Sequence, residues 1–278
     1  ILDVLESANE LVGAIFTSGK SVFVAGAEIP ALLAFGKADD VTGIHEHVMS
    51  AQSAFTRIES LPFPTVAAIN GVALGGGLEY ALAADARVMV DKAKVGFPEV
   101  NLGLFPGYAG TVRLPRMIDP VLAMQWISSG RPQSAQSAID AGLVASVCAA
   151  DDLLETATAT LASLQDTFQD IRISKQGAVV VSGEQRTALN ALMAGLEVRP
   201  GPHYPAAQQA LSLVIEQLDN SAKQAGVAEA KAFADILTSD TAINLLSVFT
   251  NEQAVARIAR KTASEGQKVE RVAVIGAG

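Results

Sequence analysis

The sequence predicts an α/β domain followed by an α-helical C-terminal extension. Two observations carry this. Up to about residue 165, short β-branched apolar runs alternate with segments of helical periodicity, the pattern of strands layered against helices. Beyond Gln165 the strand signal fades, and helical periodicity returns over 206–218, 227–237 and 242–259. The 278 residues, 50% of them hydrophobic and 18% charged, suffice for a sizeable core.

Leu11 to Phe16 is an apolar run closed by Thr17-Ser18-Gly19-Lys20, a strand and a turn. Val22 to Val24 reads as a second strand, broken by Gly26, where a loop starts. Thr42 to Ile58 has helical spacing with Thr42 as N-cap, and Pro62 and Pro64 end that region. Thr65 to Asn70 is a strand leading into Gly71 and the triplet Gly75-Gly76-Gly77, and Leu78 to Ala84 a helix. Arg87 to Val90 and Lys94 to Gly96 read as strands. Helical patterns follow over Tyr108–Ile118, Val121–Ser128 and Ser134–Ala141, then a strand over Leu143–Cys148 and a helix over Asp152–Leu164. Pro200, Pro202 and Pro205 mark a linker, and the polar stretch Ala263 to Glu270 a connector. Arg271 to Gly278 looks like a strand entering a glycine turn. The expected division is therefore 1–165, 166–270 and 271–278, in a piece of a longer polypeptide.

Composition narrows the function. A net charge of −9 disfavours binding to nucleic acid, which rests on Lys and Arg contacts to phosphate. No run of about eighteen uncharged apolar residues suggests a membrane span, and no secretory signal is visible. Cys148 is the only cysteine, which excludes an internal disulfide and fits a reducing compartment. His45 and His47 stand two apart on the predicted helix and so face different directions, a poor metal pair. His203 reads as structural, Met124 and Trp126 as core, and Asp85 as a cap or buried acceptor. For Arg113 and Arg116 structural ion pairs are expected, with contact to phosphates as the alternative.

Three segments can carry chemistry. Ala25-Gly26-Ala27-Glu28-Ile29 follows a strand, and the N–H of Ala27 can point at an anion; an ordinary turn explains it equally. Asn70 to Glu79 brings the glycine triplet into a helix, whose free N–H groups and positive potential suit a developing oxyanion. Its spacing matches neither a P-loop nor a dinucleotide fingerprint, and close helix–strand packing is the alternative. Gly96 to Gly107 holds Glu99 in a loop stiffened by Pro98 and Pro106, among apolar neighbours that would raise its pKa; an exposed loop carboxylate is the alternative. Taken together, two carboxyl groups and two glycine-rich N–H sources suit enolate chemistry on a thioester.

These motifs, over Leu11 to Leu164, resemble the crotonase (enoyl-CoA hydratase/isomerase) superfamily, whose fold is a ββα superhelix. The matching stretches are Phe-Val-Ala-Gly-Ala-Glu-Ile, Asn-Gly-Val-Ala-Leu-Gly-Gly-Gly-Leu-Glu and Phe-Pro-Glu-Val-Asn-Leu-Gly-Leu-Phe-Pro-Gly-Tyr. The resemblance implies an oxyanion hole from the N–H groups of Ala27 and Gly76, with Gly26, Gly75 and Gly107 lining the substrate. It implies Glu79 and Glu99 as the acid/base pair of a 2-enoyl-CoA hydratase. Retention of both favours hydration; an isomerase that only moves the double bond, or an inactive scaffold, are the alternatives. The second half, with Gly201-Pro-His-Tyr-Pro205 and the terminal Val272 to Gly278, resembles multifunctional β-oxidation enzymes in which a hydratase precedes an NAD-dependent dehydrogenase. Three things follow from that likeness. No NAD is expected to bind here, because Gly276-Ala-Gly278 is only half a fingerprint. A thiolase subunit or further copies of the chain are the expected protein partners. The cytoplasm, or the peroxisome in a eukaryote, is the expected location.

Overall fold

The computed structural model describes residues 1–8, 10–198 and 204–265. The chain opens with a short helix α1 (Leu2–Ser7), then β1 (Ala14–Phe16) and β2 (Val24–Ala25). Two helices follow, α2 (Ile29–Ala38) and α3 (Val41–Glu59). Next come β3 (Thr65–Ile69), β4 (Ala73–Leu74) and α4 (Gly76–Ala83), then β5 (Ala86–Val90) and β6 (Lys94–Gly96). A 3-10 turn (Pro98–Leu102) leads to α5 (Gly110–Arg113), a second 3-10 turn (Leu114–Arg116) and α6 (Pro120–Ser129). The first half closes with β7 (Gln133–Ser134), α7 (Ala135–Asp140), β8 (Ser146–Cys148) and α8 (Leu153–Ser163). The second half is helical: α9 (Phe168–Gln176), α10 (Gly183–Val198), α11 (Ala206–Gln217), α12 (Ala222–Leu237) and α13 (Asp240–Glu265).

Strands β1 to β6 alternate between two sheets, β7 stays in the second, and β8 returns to the first. One has the order β1-β3-β5-β8, all parallel; the other is β2-β4-β6-β7, whose last pair is antiparallel. The second and third turns thus give one strand to each sheet before returning through helix, a ββα spiral. Every residue of β3 and β5 is buried. Parallel strands covered on both faces lose the in/out alternation, which is why they read as continuous apolar runs. Arg87, the exception in β5, satisfies its guanidinium on the carbonyls of Leu143 and Ala84.

The helical half does not stand apart. Val66, Leu82 and Met89 of the spiral belong to one contiguous core with Leu211, Phe233, Leu237 and Leu246 of the later helices. Helix α12 packs on α3 and α5, and α13 on α2. A buried ion pair anchors α9: the Arg172 guanidinium meets the Asp85 carboxylate at 2.7 Å and also donates to the carbonyls of Leu61 and Phe63. Asp85 further accepts from the N–H and hydroxyl of Thr65, so it is the buried acceptor expected.

Several sequence expectations change. Where a loop was expected after Gly26, α2 forms, with Pro30 in its first turn, where a missing N–H costs nothing. The cap of α3 is Asp40, whose side chain accepts from the Gly43 N–H at 2.9 Å, not Thr42. The helix expected over Tyr108–Ile118 is split, because Pro115 lacks the N–H that an α-helix would need there. Helices α9 and α10 fill a stretch in which the sequence reading placed no element, and α13 runs past Ala259 through Ala263 to Glu265. The expected strand at 271–278, the rest of the connector, Pro200, Pro202 and His203 lie outside the described residues. Arg113 pairs with Glu59 at 2.8 Å, whereas Arg116 pairs with no carboxylate among the described residues and donates to the carbonyls of Val112, Gly177 and Asn220. Met124 and Trp126 are buried in the core.

Candidate active site

The register of the second sheet brings the glycine-rich segments together. In β2 and β4, Ala25 stands opposite Leu74. Just past the strand ends Gly26 comes against Gly75, and Ala27 and Gly76 line the same cavity. Gly26 (φ 87°) and Gly75 (φ 55°) take conformations that side chains disfavour. Their backbones are close enough that a Cβ on Gly75 would lie 3.7 Å from the Gly26 Cα. Gly75 caps α4, so the N–H groups of Gly76 and Gly77 have no carbonyl four residues back within the helix. Gly77 must also be glycine for packing: a Cβ would fall 2.1 Å from the Val24 carbonyl oxygen.

Glu79 lies in the first turn of α4 and is only 1% exposed. Its Oε1 accepts hydrogen bonds from the N–H groups of Tyr108 (2.7 Å) and Gly110 (2.8 Å). Burial pushes its pKa well up, neighbouring Glu229 and Glu99 push it further, and the two N–H donors oppose this. Glu99 sits in the 3-10 turn after β6, held by Pro98. The residue is half-buried, but its Oε2 is shut off from solvent and has no hydrogen-bond partner. Burial raises its pKa to about 8. Both carboxyls are thus pushed toward the protonated form, and the two N–H donors on Glu79 are what would hold its charge once it gives up its proton.

Both face a cavity of about 490 Å³ walled mainly by apolar groups, among them Leu32, Leu74, Leu104, Phe233 and Leu245. Ala27, Gly26, Gly75, Gly76 and Gly107 line it as well, so the expected site residues are all brought to one place. Gly107 allows Phe233 to close in, since a Cβ there would lie 2.6 Å from that ring. Its carbonyl accepts from the Gln52 amide at 3.1 Å. Among the described residues, no group of His, Cys, Asp and Glu is placed to hold a metal ion. His47 instead packs on Phe35, with its Nε2 3.3 Å from the Tyr108 hydroxyl.

A third carboxyl, Glu229 on α12, went unnoticed in the sequence. It is fully buried beside the other two, and burial lifts its pKa to about 7. A signal existed. Glu229 stands four residues after Ala225 and four before Phe233, on the apolar stripe of a helix, where an unpaired charge would be costly.

A two-sheet ββα spiral with buried carboxyls at glycine-rich strand ends is the crotonase fold. The sequence profile of the family described as enoyl-CoA hydratase/isomerase matches residues 1–178, and the chain belongs to that family. Among curated relatives, the fatty acid oxidation complex subunit alpha of Psychrobacter arcticus is 36% identical over 283 residues, covering 100% of this chain. That of Pseudomonas aeruginosa (strain LESB58) is 36% identical over 285 residues, again covering 100% of this chain. The chain spans 39% of the length of each. Among solved structures, an enoyl-CoA hydratase from Bacillus halodurans superposes with a TM-score of 0.63 at 20% identity, covering 89% of this chain and 86% of that one. An enoyl-CoA hydratase from Bacillus anthracis gives 0.51 at 28% identity, covering 77% and 76%.

Proposed function

We propose that this chain adds water to the double bond of a 2-enoyl-CoA thioester, giving the 3-hydroxyacyl thioester. One observation carries the reading: a carboxyl held by two N–H groups and a carboxyl with one buried, unpartnered oxygen face the same apolar cavity beside two N–H-bearing glycine turns. The N–H groups of Ala27 and Gly76 stabilise the thioester oxygen as it gains charge. Losing such a donor costs about 3 kcal/mol of barrier. Glu79, as carboxylate, takes a proton from water whose oxygen bonds to C3, and Glu99 delivers its proton to C2. One hydrogen of the water stays in the new hydroxyl; the other goes to Glu79, Glu99 loses one to C2, and return of a proton from Glu79 to Glu99 resets the pair. Gly26, Gly75 and Gly107 shape the wall, and the apolar lining suits an acyl chain. Neither a metal nor a redox cofactor enters these steps.

The relatives' name also supports fatty-acid oxidation within a larger assembly, in which an NAD-dependent dehydrogenase segment would oxidise the 3-hydroxyacyl product and a thiolase-type subunit would cleave the resulting 3-keto thioester. The test is the fall in enoyl-thioester absorbance with crotonyl-CoA and a longer 2-enoyl-CoA. Glu79→Gln and Glu99→Gln are each expected to slow hydration by about 10²–10⁴-fold with the fold retained. Full activity in either variant would overturn the reading. Turnover of 3-enoyl-CoA without hydration would mean an isomerase.

A further inference from the structure

The four N–H groups from Tyr108 to Thr111 are divided between two carboxyls. Those of Tyr108 and Gly110 bind Glu79; those of Ala109 and Thr111 bind Glu229, at 2.5 and 3.0 Å. The alternation depends on Ala109, which holds φ 73° without being glycine, a backbone strain that its surroundings must sustain. Glu229 is placed to sustain it. Besides the two N–H groups, it accepts the Thr111 hydroxyl and the Gln52 amide. Gln52 also reaches the carbonyls of Gly107 and Gly226, tying α3, α12 and the loop at one point.

We infer that Glu229 is a positioning residue for Glu79: it fixes the strained segment whose N–H groups hold Glu79, and its charge helps decide which carboxyl of the buried cluster keeps a proton. The inference rests on the hydratase reading for its consequence in turnover, but not for its electrostatic core. The charged groups facing Glu229 are Glu79 from α4, Glu99 from the 3-10 turn and Arg113 from α5, the last already paired with Glu59. Gln52 from α3 is neutral. Three carboxyls cannot all ionise in one dry space, so the cluster titrates as a unit. Glutamine at 229 would remove one like charge, and Glu79 would then release its proton at lower pH. It would also turn an N–H₂ group toward the N–H of Ala109 or Thr111, loosening the segment; weaker N–H donation opposes the shift in Glu79, but the lost like charge is the larger effect.

The experiment is Glu229→Gln in the full chain, read in two ways. By ¹³C NMR of labelled glutamate, the Glu79 carboxyl resonance, assigned with Glu79→Gln, is expected to titrate about one pH unit or more lower in the variant. In hydration of crotonyl-CoA, kcat is expected to fall at least tenfold with KM within about twofold, and the acid limb of the profile to move to lower pH. An unmoved Glu79 titration in folded Glu229→Gln overturns the inference, whatever the enzyme turns over. A moved titration in a chain that hydrates nothing leaves the inference standing and sinks the hydratase reading. If Glu229→Gln does not fold, wild type decides. A biphasic Glu79 curve with one inflection shared by Glu229 supports the coupling, and two independent single-step curves overturn it.

Discussion

Replacing Glu99 by glutamine is expected to stabilise the protein while slowing the proposed hydration about 10²–10⁴-fold, and the gain in stability is expected to depend on pH. The Oε2 of Glu99 is buried without a partner, and burial raises the pKa from 4.5 to about 8. Below about pH 4.5 the folded and unfolded chains both hold this proton, so the group has no effect on stability. Between 4.5 and 8 the unfolded chain releases it and the folded chain does not. Native stability then falls by up to about 1.4 kcal/mol per pH unit. For an isolated dry group the whole interval would amount to roughly 5 kcal/mol. Glu99 is half-buried and shares its space with two other carboxyls, so about 2 kcal/mol at pH 8 is the expectation. Glutamine cannot ionise and escapes this loss. Urea denaturation of both proteins at pH 5, 6.5 and 8 measures it. Glu99→Gln should gain stability over wild type steadily across the series. A difference equal at pH 5 and pH 8 would refute the claim that the fold holds this carboxyl protonated.

Three other expectations come from the same geometry. Gly76 is the first residue of α4, where proline fits the backbone but carries no N–H; Gly76→Pro should cut kcat about 100-fold while the melting temperature moves little. Gly77→Ala would drive a methyl into the Val24 carbonyl 2.1 Å away, and a loss of about 1–3 kcal/mol in chemical denaturation is expected. Arg172→Met leaves Asp85 charged and buried, at a cost of about 3–5 kcal/mol, and restoring a neutral partner with Asp85→Asn in the same chain should recover part of it.

The two halves of the candidate site were legible in the sequence to different degrees. Gly26, Gly75, Gly76 and Gly77 could be read because close approach and positive φ leave glycine as the residue of choice, so the requirement is written in residue type. Glu79 and Glu99 stood out as carboxyls beside glycine and proline in otherwise apolar stretches. The buried strands β3 and β5 were clear for the same reason: five apolar-rich residues between turn signals have few other fates. Helices α2, α9 and α10 were harder. Ile29–Ala38 starts three residues after Gly26 and carries Pro30 in its first turn, and local signals there favour a loop until the helix packs against α13.

What the sequence by itself determined was the place of six strands, though not of the two-residue strands β4 and β7, and the chemistry available at their ends, because turn geometry and apolar periodicity act over a few residues. What only tertiary structure decided was which groups share a space. The β2–β4 pairing brings Gly26 against Gly75 across 49 positions of chain. The packing of α12 brings Glu229 to a loop 120 residues earlier. Desolvation and charge repulsion depend on distance in space, so the proton affinities of Glu79, Glu99 and Glu229 exist only once the helical half has closed over the spiral.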